Sequence, residues 1–235
     1  MTDCLIVGMN SLEFPFYLDA TRRLAQSAAG MSQAVDKRLI EHAVTAERQG
    51  MGVAGPVYRI SAIGAALARG DTGAAEEYLS SVSSLETDVE DATTRRNAVR
   101  ALTAHAMVDL ARRDARAASE HISQAAALIP ESRRAADPEW RGLLLARAQA
   151  EYALAQYSAA AADAESAVAR ARQDAVDPQS SAWVGEALVW RARTELGQGK
   201  RVAAQESARE AMPHLQQNLD PSHPLIAAAR QLASR

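Results

Sequence analysis

Alanine-rich segments recur along this chain at a nearly fixed interval. Leu144 to Val168 laid over Leu188 to Met212 without a gap aligns Leu144 with Leu188, Arg147 with Arg191, Ala148 with Ala192 and Glu151 with Glu195. In the second half of the segment, Ala159, Ala160, Ala164 and Ala167 fall on Ala203, Ala204, Ala208 and Ala211. The small residues Ala75, Ala118, Ala160 and Ala204 lie 43, 42 and 44 residues apart, and Ala125, Ala167 and Ala211 repeat the last two intervals. Self-similarity at a fixed period marks a stack of like units rather than one irregular globule. Two helices of about 15 to 18 residues, rising about 1.5 Å per residue, fill such a unit with two short turns to spare.

Composition agrees with that reading. Alanine makes up roughly a fifth of the chain, well above ordinary usage. It is the strongest helix former, and its small side chain lets helices approach closely. The 235 residues need no domain boundary if they form one solenoid, because each unit touches only its neighbours. The expected class is all-α, with a tail at 1–10 and a single helical-repeat domain at 11–235.

The chain divides at its glycines and prolines. A degenerate first pair is expected over 11–49. Ser11 caps its first helix, whose stripe Tyr17, Ala20, Leu24 and Ala28 ends at Gly30; Ser32 opens the second, with Val35, Leu39, Ile40 and Ala43 inward. The following pairs are expected at about 57–85, 91–130, 138–173 and 180–217. Gly70-Asp71, Arg113-Asp114 and Gly199-Lys200 turn between helices, and Pro130 and Pro178 fall between units. Pro213 is expected to kink or end the last long helix. A short capping helix at 222–234, with Ser222 as its cap, closes the stack.

These copies resemble tetratricopeptide repeats, in the lengthened form of about 42 residues seen in kinesin light chains and many bacterial signalling proteins. The resemblance rests on the small residue inside each first helix (Ala106, Ala148, Ala192), the turn before each second helix, the paired alanines of each second helix and the closing Pro130. The run Asp220-Pro221-Ser222-His223-Pro224 is similar to the opening of a further repeat in that family. The resemblance extends from about Val57 to Arg235. It implies a right-handed superhelix whose first helices line a concave groove for peptides. The asparagines and lysines by which the best-known members grip an acidic tail have no counterparts here. The only asparagines are Asn10, Asn97 and Asn218, and the only lysines Lys37 and Lys200.

Other chemistries find little support. The net charge of −3 gives no global field toward nucleic acid or an anionic membrane. The dipeptides Arg95-Arg96, Arg112-Arg113 and Arg133-Arg134 read as solvated helix ends, and the acidic run from Glu86 to Asp91 as a linker. The lone Cys4 forms no internal disulfide and no multi-cysteine zinc site. The apolar run Cys4 to Met9 is too short for a signal-peptide core, and no stretch reaches the roughly 18 apolar residues of a spanning helix. A cytoplasmic, non-catalytic protein without cofactor or metal is expected, and the arginine and alanine bias suggests a bacterial source. Gly50 to Gly55 spells GxGxxG, but helical residues precede it and Pro56 follows, so it reads as an interhelix loop. The histidines form no HExxH pattern. His105–Asp109, Arg147–Glu151 and Arg191–Glu195 recur in register, each one turn apart. That pattern predicts surface pairs along the first helices, each worth a few tenths of a kcal/mol.

Two functions remain. One is a scaffold that holds a peptide segment or helix of a protein partner in its groove. The other is a regulatory or sensory domain of, or derived from, a larger signalling protein such as a kinase or transcription regulator, binding a small ligand or self-associating. Carrying the family's groove face onto this chain gives Arg100, Thr103 and Met107 in the third pair and Leu145, Gln149 and Tyr152 in the fourth. Glu186, Val189, Trp190 and Arg193 follow in the fifth. Trp190 stands where the preceding copies carry Ser61, Ala104 and Ala146. Trp and Arg dominate binding hot spots, so Trp190 and Arg193 are the expected anchors. The competing expectation is that Trp190 only packs against the final helix.

Overall fold

The computed structural model describes residues 34–50, 54–82 and 92–235. The expected tail at 1–10, the first helix expected within 11–30, Cys4, Gly52 and the acidic run from Glu86 to Asp91 lie outside these. Among the described residues there are ten α-helices and no strand. They are α1 (Ala34–Arg48), α2 (Ala54–Ala68), α3 (Thr72–Ser80), α4 (Ala92–Ala111), α5 (Ala115–Ala127), α6 (Trp140–Ala153), α7 (Tyr157–Asp174), α8 (Ala182–Gly197), α9 (Arg201–Gln216) and α10 (Pro224–Ser234).

Each helix packs on the next in sequence, and α2, α4, α6, α8 and α10 also touch in succession. The first helices of the units therefore form one continuous row. The second helices α3, α5, α7 and α9 bury the alanines that set the period. Ala75, Ala118 and Ala160 are sealed completely, and Ala204 nearly so. A methyl group at the crossing lets two helix backbones approach, and a larger side chain there would hold them apart.

The turns repeat as faithfully as the alanines. Gly70, Arg113, Ala155 and Gly199 all have left-handed backbone, with φ of 77, 65, 60 and 77°. They follow the 43, 42 and 44-residue spacing of the alanines. Glycine adopts this conformation freely, whereas arginine and alanine do so at a cost. The next residue caps the second helix in two units. The Asp71 and Asp114 carboxylates accept the Ala74 and Ala117 amides at 3.0 Å. Gln156 and Lys200 occupy that position without a side-chain cap.

Four expectations are corrected. Pro213 does not end the last long helix: it lies inside α9, which continues to Gln216, and His214 and Leu215 beyond it are buried. His223, not Ser222, caps α10, its Nδ1 accepting the Leu225 amide at 3.2 Å. Gly55 and Pro56 belong to the first turn of α2, where proline lacks no needed donor. Gly50, with φ of 70°, has the left-handed backbone of a helix stop.

The fourth correction concerns the charged pairs. Asp109 does not pair with His105; it lies 2.7 Å from His121 Nδ1 on α5. Arg147 does not satisfy Glu151; its guanidinium grips Asp163 on α7 through Nε and through Nη2, the latter at 2.6 Å. Arg191 does reach Glu195 at 3.9 Å, yet its shorter contacts run to Ser207 and Glu210 on α9. Ser207 Oγ then donates to Glu195 Oε2 at 2.7 Å. The recurring first-helix positions are thus polar bridges between the two helices of a unit. Their partners His121, Asp163 and Ser207 sit in one register, 16 residues beyond the first position. In the unit of α2 and α3 the same positions are Ala62, Ala66 and Tyr78, and the bridge is replaced by apolar packing.

Helix α10 packs onto α9 and α8. Ile226, Ala229 and Leu232 of α10 join one core with Ala208, Ala211 and Leu215 of α9. Each large aliphatic side chain so covered contributes about 1.5–3 kcal/mol of burial.

Candidate functional site

The ten residues assigned to the groove face do not share one environment. Val189 is fully buried and Leu145 nearly so, both in the core of the last two units. Gln149 is also buried. These three present no open surface, because side chains on the shared side of α6 and α8 are consumed in packing. Arg100 is engaged by Glu139, just before α6, at 2.6 and 2.8 Å. Thr103 turns its hydroxyl back onto the Val99 carbonyl at 2.8 Å. Met107 packs against the core of α4, α5 and α6.

The remaining residues converge. Tyr152, near the end of α6, meets the Trp190 ring edge-on at 6.0 Å and the Tyr157 ring at 5.4 Å. Trp190 is half-buried against the core, which satisfies its packing role and leaves part of the indole accessible. The Arg193 guanidinium lies 4.2 Å over that indole. Such a stack is worth about 0.5–1 kcal/mol exposed and more when desolvated.

Arg193 and Tyr152 line a cavity of about 180 Å³ with Leu196, Ala228, Gln231, Leu232 and Arg235. The cavity sits where α6, α8 and α10 approach their carboxyl ends, so three members of the first-helix row form its walls. Leu196, Ala228 and Leu232 give it apolar surface; Tyr152 and Gln231 give it a hydroxyl and an amide. No carboxylate side chain lines it.

Arg193 is electrostatically distinct. Burial lowers its pKa from the ordinary arginine value, opposed by the Tyr152 and Glu186 charges. Among the described residues it makes no hydrogen bond or ion pair; its ring contact with Trp190 is what holds it. Several other arginines of the fold are matched by a carboxylate. Arg59 has Glu47, Arg69 has Asp36, Arg147 has Asp163 and Arg170 has Asp174. A half-buried cation with no carboxylate in direct contact is costly, and its position at a cavity leaves room for an incoming anion.

The α10 wall was absent from the expected site. The Asp220 to Pro224 run that opens a further helix was the available signal. Extending the row of first helices by one places Ala228, Gln231 and Leu232 beside Arg193. No family model matches this chain, and no curated protein and no solved structure shows significant similarity to it. Among the described residues no helix is long and apolar enough to cross a membrane.

Proposed function

We propose that this chain is a non-catalytic interaction scaffold of the tetratricopeptide kind, which receives a peptide segment or helix of a partner protein along its row of first helices. The observation that carries this reading is the Arg193 guanidinium, stacked on Trp190 at an open cavity whose lining holds no Asp or Glu side chain. Trp190 supplies a half-covered aromatic face, Tyr152 borders it, and Arg193 supplies charge. A small number of buried aromatic and arginine anchors provides most of the affinity in protein interfaces. The repeat spacing and the continuous first-helix row support the family resemblance.

The test is affinity capture from the native organism with the full chain and its Trp190→Ala and Arg193→Ala variants, followed by direct binding measurements on any recovered partner. A partner lost by both variants while their helical circular dichroism is unchanged supports the scaffold. A recovered partner that binds both variants as well as the parent chain removes this site.

A further inference from the structure

We infer that the cavity between α6, α8 and α10 takes a carboxylate of the docked peptide, with Arg193 as its counter-ion. The inference rests on the reading of this site as a peptide-binding site and names the chemistry that the site selects.

Charge complementarity carries it. The charged side chains lining the cavity are those of Arg193 and Arg235, and its other polar side chains are those of Tyr152 and Gln231. A guanidinium presents donors and no acceptor, in a fork that matches a carboxylate. Arg193 is half-buried beneath the Trp190 ring, so its guanidinium has already lost part of its water. An ion pair formed there is screened less than one at the surface. Trp190 covers the guanidinium at 4.2 Å and restricts it to one plane, so less freedom is lost on binding.

The surroundings favour a single negative charge over a dianion. The nearest helix ends are the carboxyl ends of α6, α8 and α10, where the helix dipole is negative. Phosphate sites instead draw on helix amino ends and several cations. Leu196, Ala228 and Leu232 lie alongside the polar groups. They suit the aliphatic part of the residue that bears the carboxylate. The volume of about 180 Å³ accommodates one side chain rather than an extended segment. Glu186, which also acts on Arg193, is outside the lining.

The test uses the full chain and three synthetic tetrapeptides, acetyl-Ala-Ala-Ala-Leu as free acid, the same peptide as carboxamide, and acetyl-Ala-Ala-Glu-Leu carboxamide. Binding is followed by two-dimensional NMR, including the arginine Nε–H signals. At least one carboxylate peptide is expected to shift the Arg193 signal and to bind at least tenfold more tightly than the neutral carboxamide. The free acid prevailing assigns the carboxylate to a chain terminus; the glutamyl peptide prevailing assigns it to a side chain. Arg193→Gln is expected to abolish the preference and Arg193→Lys to keep part of it. The comparison among peptides on the parent chain needs no variant to fold. Equal binding of all three peptides, lost in Trp190→Ala, would overturn the carboxylate and leave the docking site standing. Binding of none at millimolar concentration would overturn the carboxylate, while partner capture would still decide the scaffold. A carboxylate preference undiminished in folded Arg193→Gln would also overturn it.

Discussion

Asp109 Oδ2 lies 2.7 Å from His121 Nδ1 on the facing helix, and the ring of His105, one turn earlier, stacks on that same histidine at 5.1 Å. A residue that reads as a partner along its own helix is therefore a tie between helices. The next two units repeat the arrangement with different chemistry, Arg147 to Asp163 and Arg191 to Ser207. The register is constant while the side chains vary. Three units carry a polar bridge at this level, built from different residue combinations, while the unit of α2 and α3 packs apolar side chains there.

The middle bridge predicts a pH dependence. Burial, reinforced by the Asp163 charge and opposed by Arg147, pushes the Glu151 carboxyl up to about 7 from 4.5. The folded chain then holds a proton that the unfolded chain releases, so this group's contribution to stability falls as pH rises from 4.5 to about 7 and levels off above. Glu151→Gln keeps the shape, removes the charge and can donate to Asp163. It is expected to raise the melting temperature at pH 8, and to flatten the stability slope between pH 5 and 7. Thermal unfolding across that range checks it; an unchanged slope would assign the titration elsewhere.

The turns predict a stabilising substitution. Ala155 holds φ of 60° where two other units use glycine. Left-handed backbone costs an L-residue roughly 1–2 kcal/mol, offset in part by the extra freedom of glycine when unfolded. Ala155→Gly is expected to stabilise by about 0.5–1 kcal/mol, measured by denaturant unfolding. Arg113→Gly should act in the same direction. Destabilisation by either would show that the turn is held by contacts of the native side chain.

Close helix approach predicts the opposite. A Cβ added at Gly185 would come within 2.7 Å of Leu215 Cδ2 and 3.1 Å of His214 Cβ, both on buried residues of α9. Gly185→Ala is expected to destabilise by about 1–3 kcal/mol through overpacking. Ala160→Leu, at a fully buried position of α7, should cost a similar amount. A parent-like midpoint in denaturant for both would disprove the tight crossings.

Removing the last helix tests both stability and the site. Truncation before Asp220 takes away Ile226, Ala229 and Leu232 and bares Ala208 and Leu215. A lower melting temperature or self-association is expected, since an uncapped unit exposes its stacking face. A monomeric truncation with the parent melting temperature would mean that α10 does not dock.

Trp190→Ala is expected to weaken partner binding at least tenfold, about 1.4 kcal/mol, with the circular dichroism spectrum unchanged. Unfolding of the variant would instead assign Trp190 to the core alone.

The period, the helix class and the turn positions were legible in the sequence because they are local. An alanine every 42 to 44 residues, a breaker between helices and an amphipathic stripe act over a few residues, and the described residues are all-helical with neighbouring helices packed in sequence. Pro213 shows the limit of local reasoning: a residue that weakens a helix stays inside α9 because burial of His214 and Leu215 outweighs it. The partners of Asp109 and Arg147 were illegible for a related reason. Same-helix neighbours and facing-helix neighbours compete, and only the crossing geometry chooses. The candidate site divides along the same line. Trp190 and Arg193 announced themselves by size and charge against small neighbours. The burial of Val189, the pairing of Arg100 with Glu139 and the α10 wall depended on how successive units stack. That stacking is set by side chains far apart in the chain, so only the tertiary structure decided which of the candidate residues remain open.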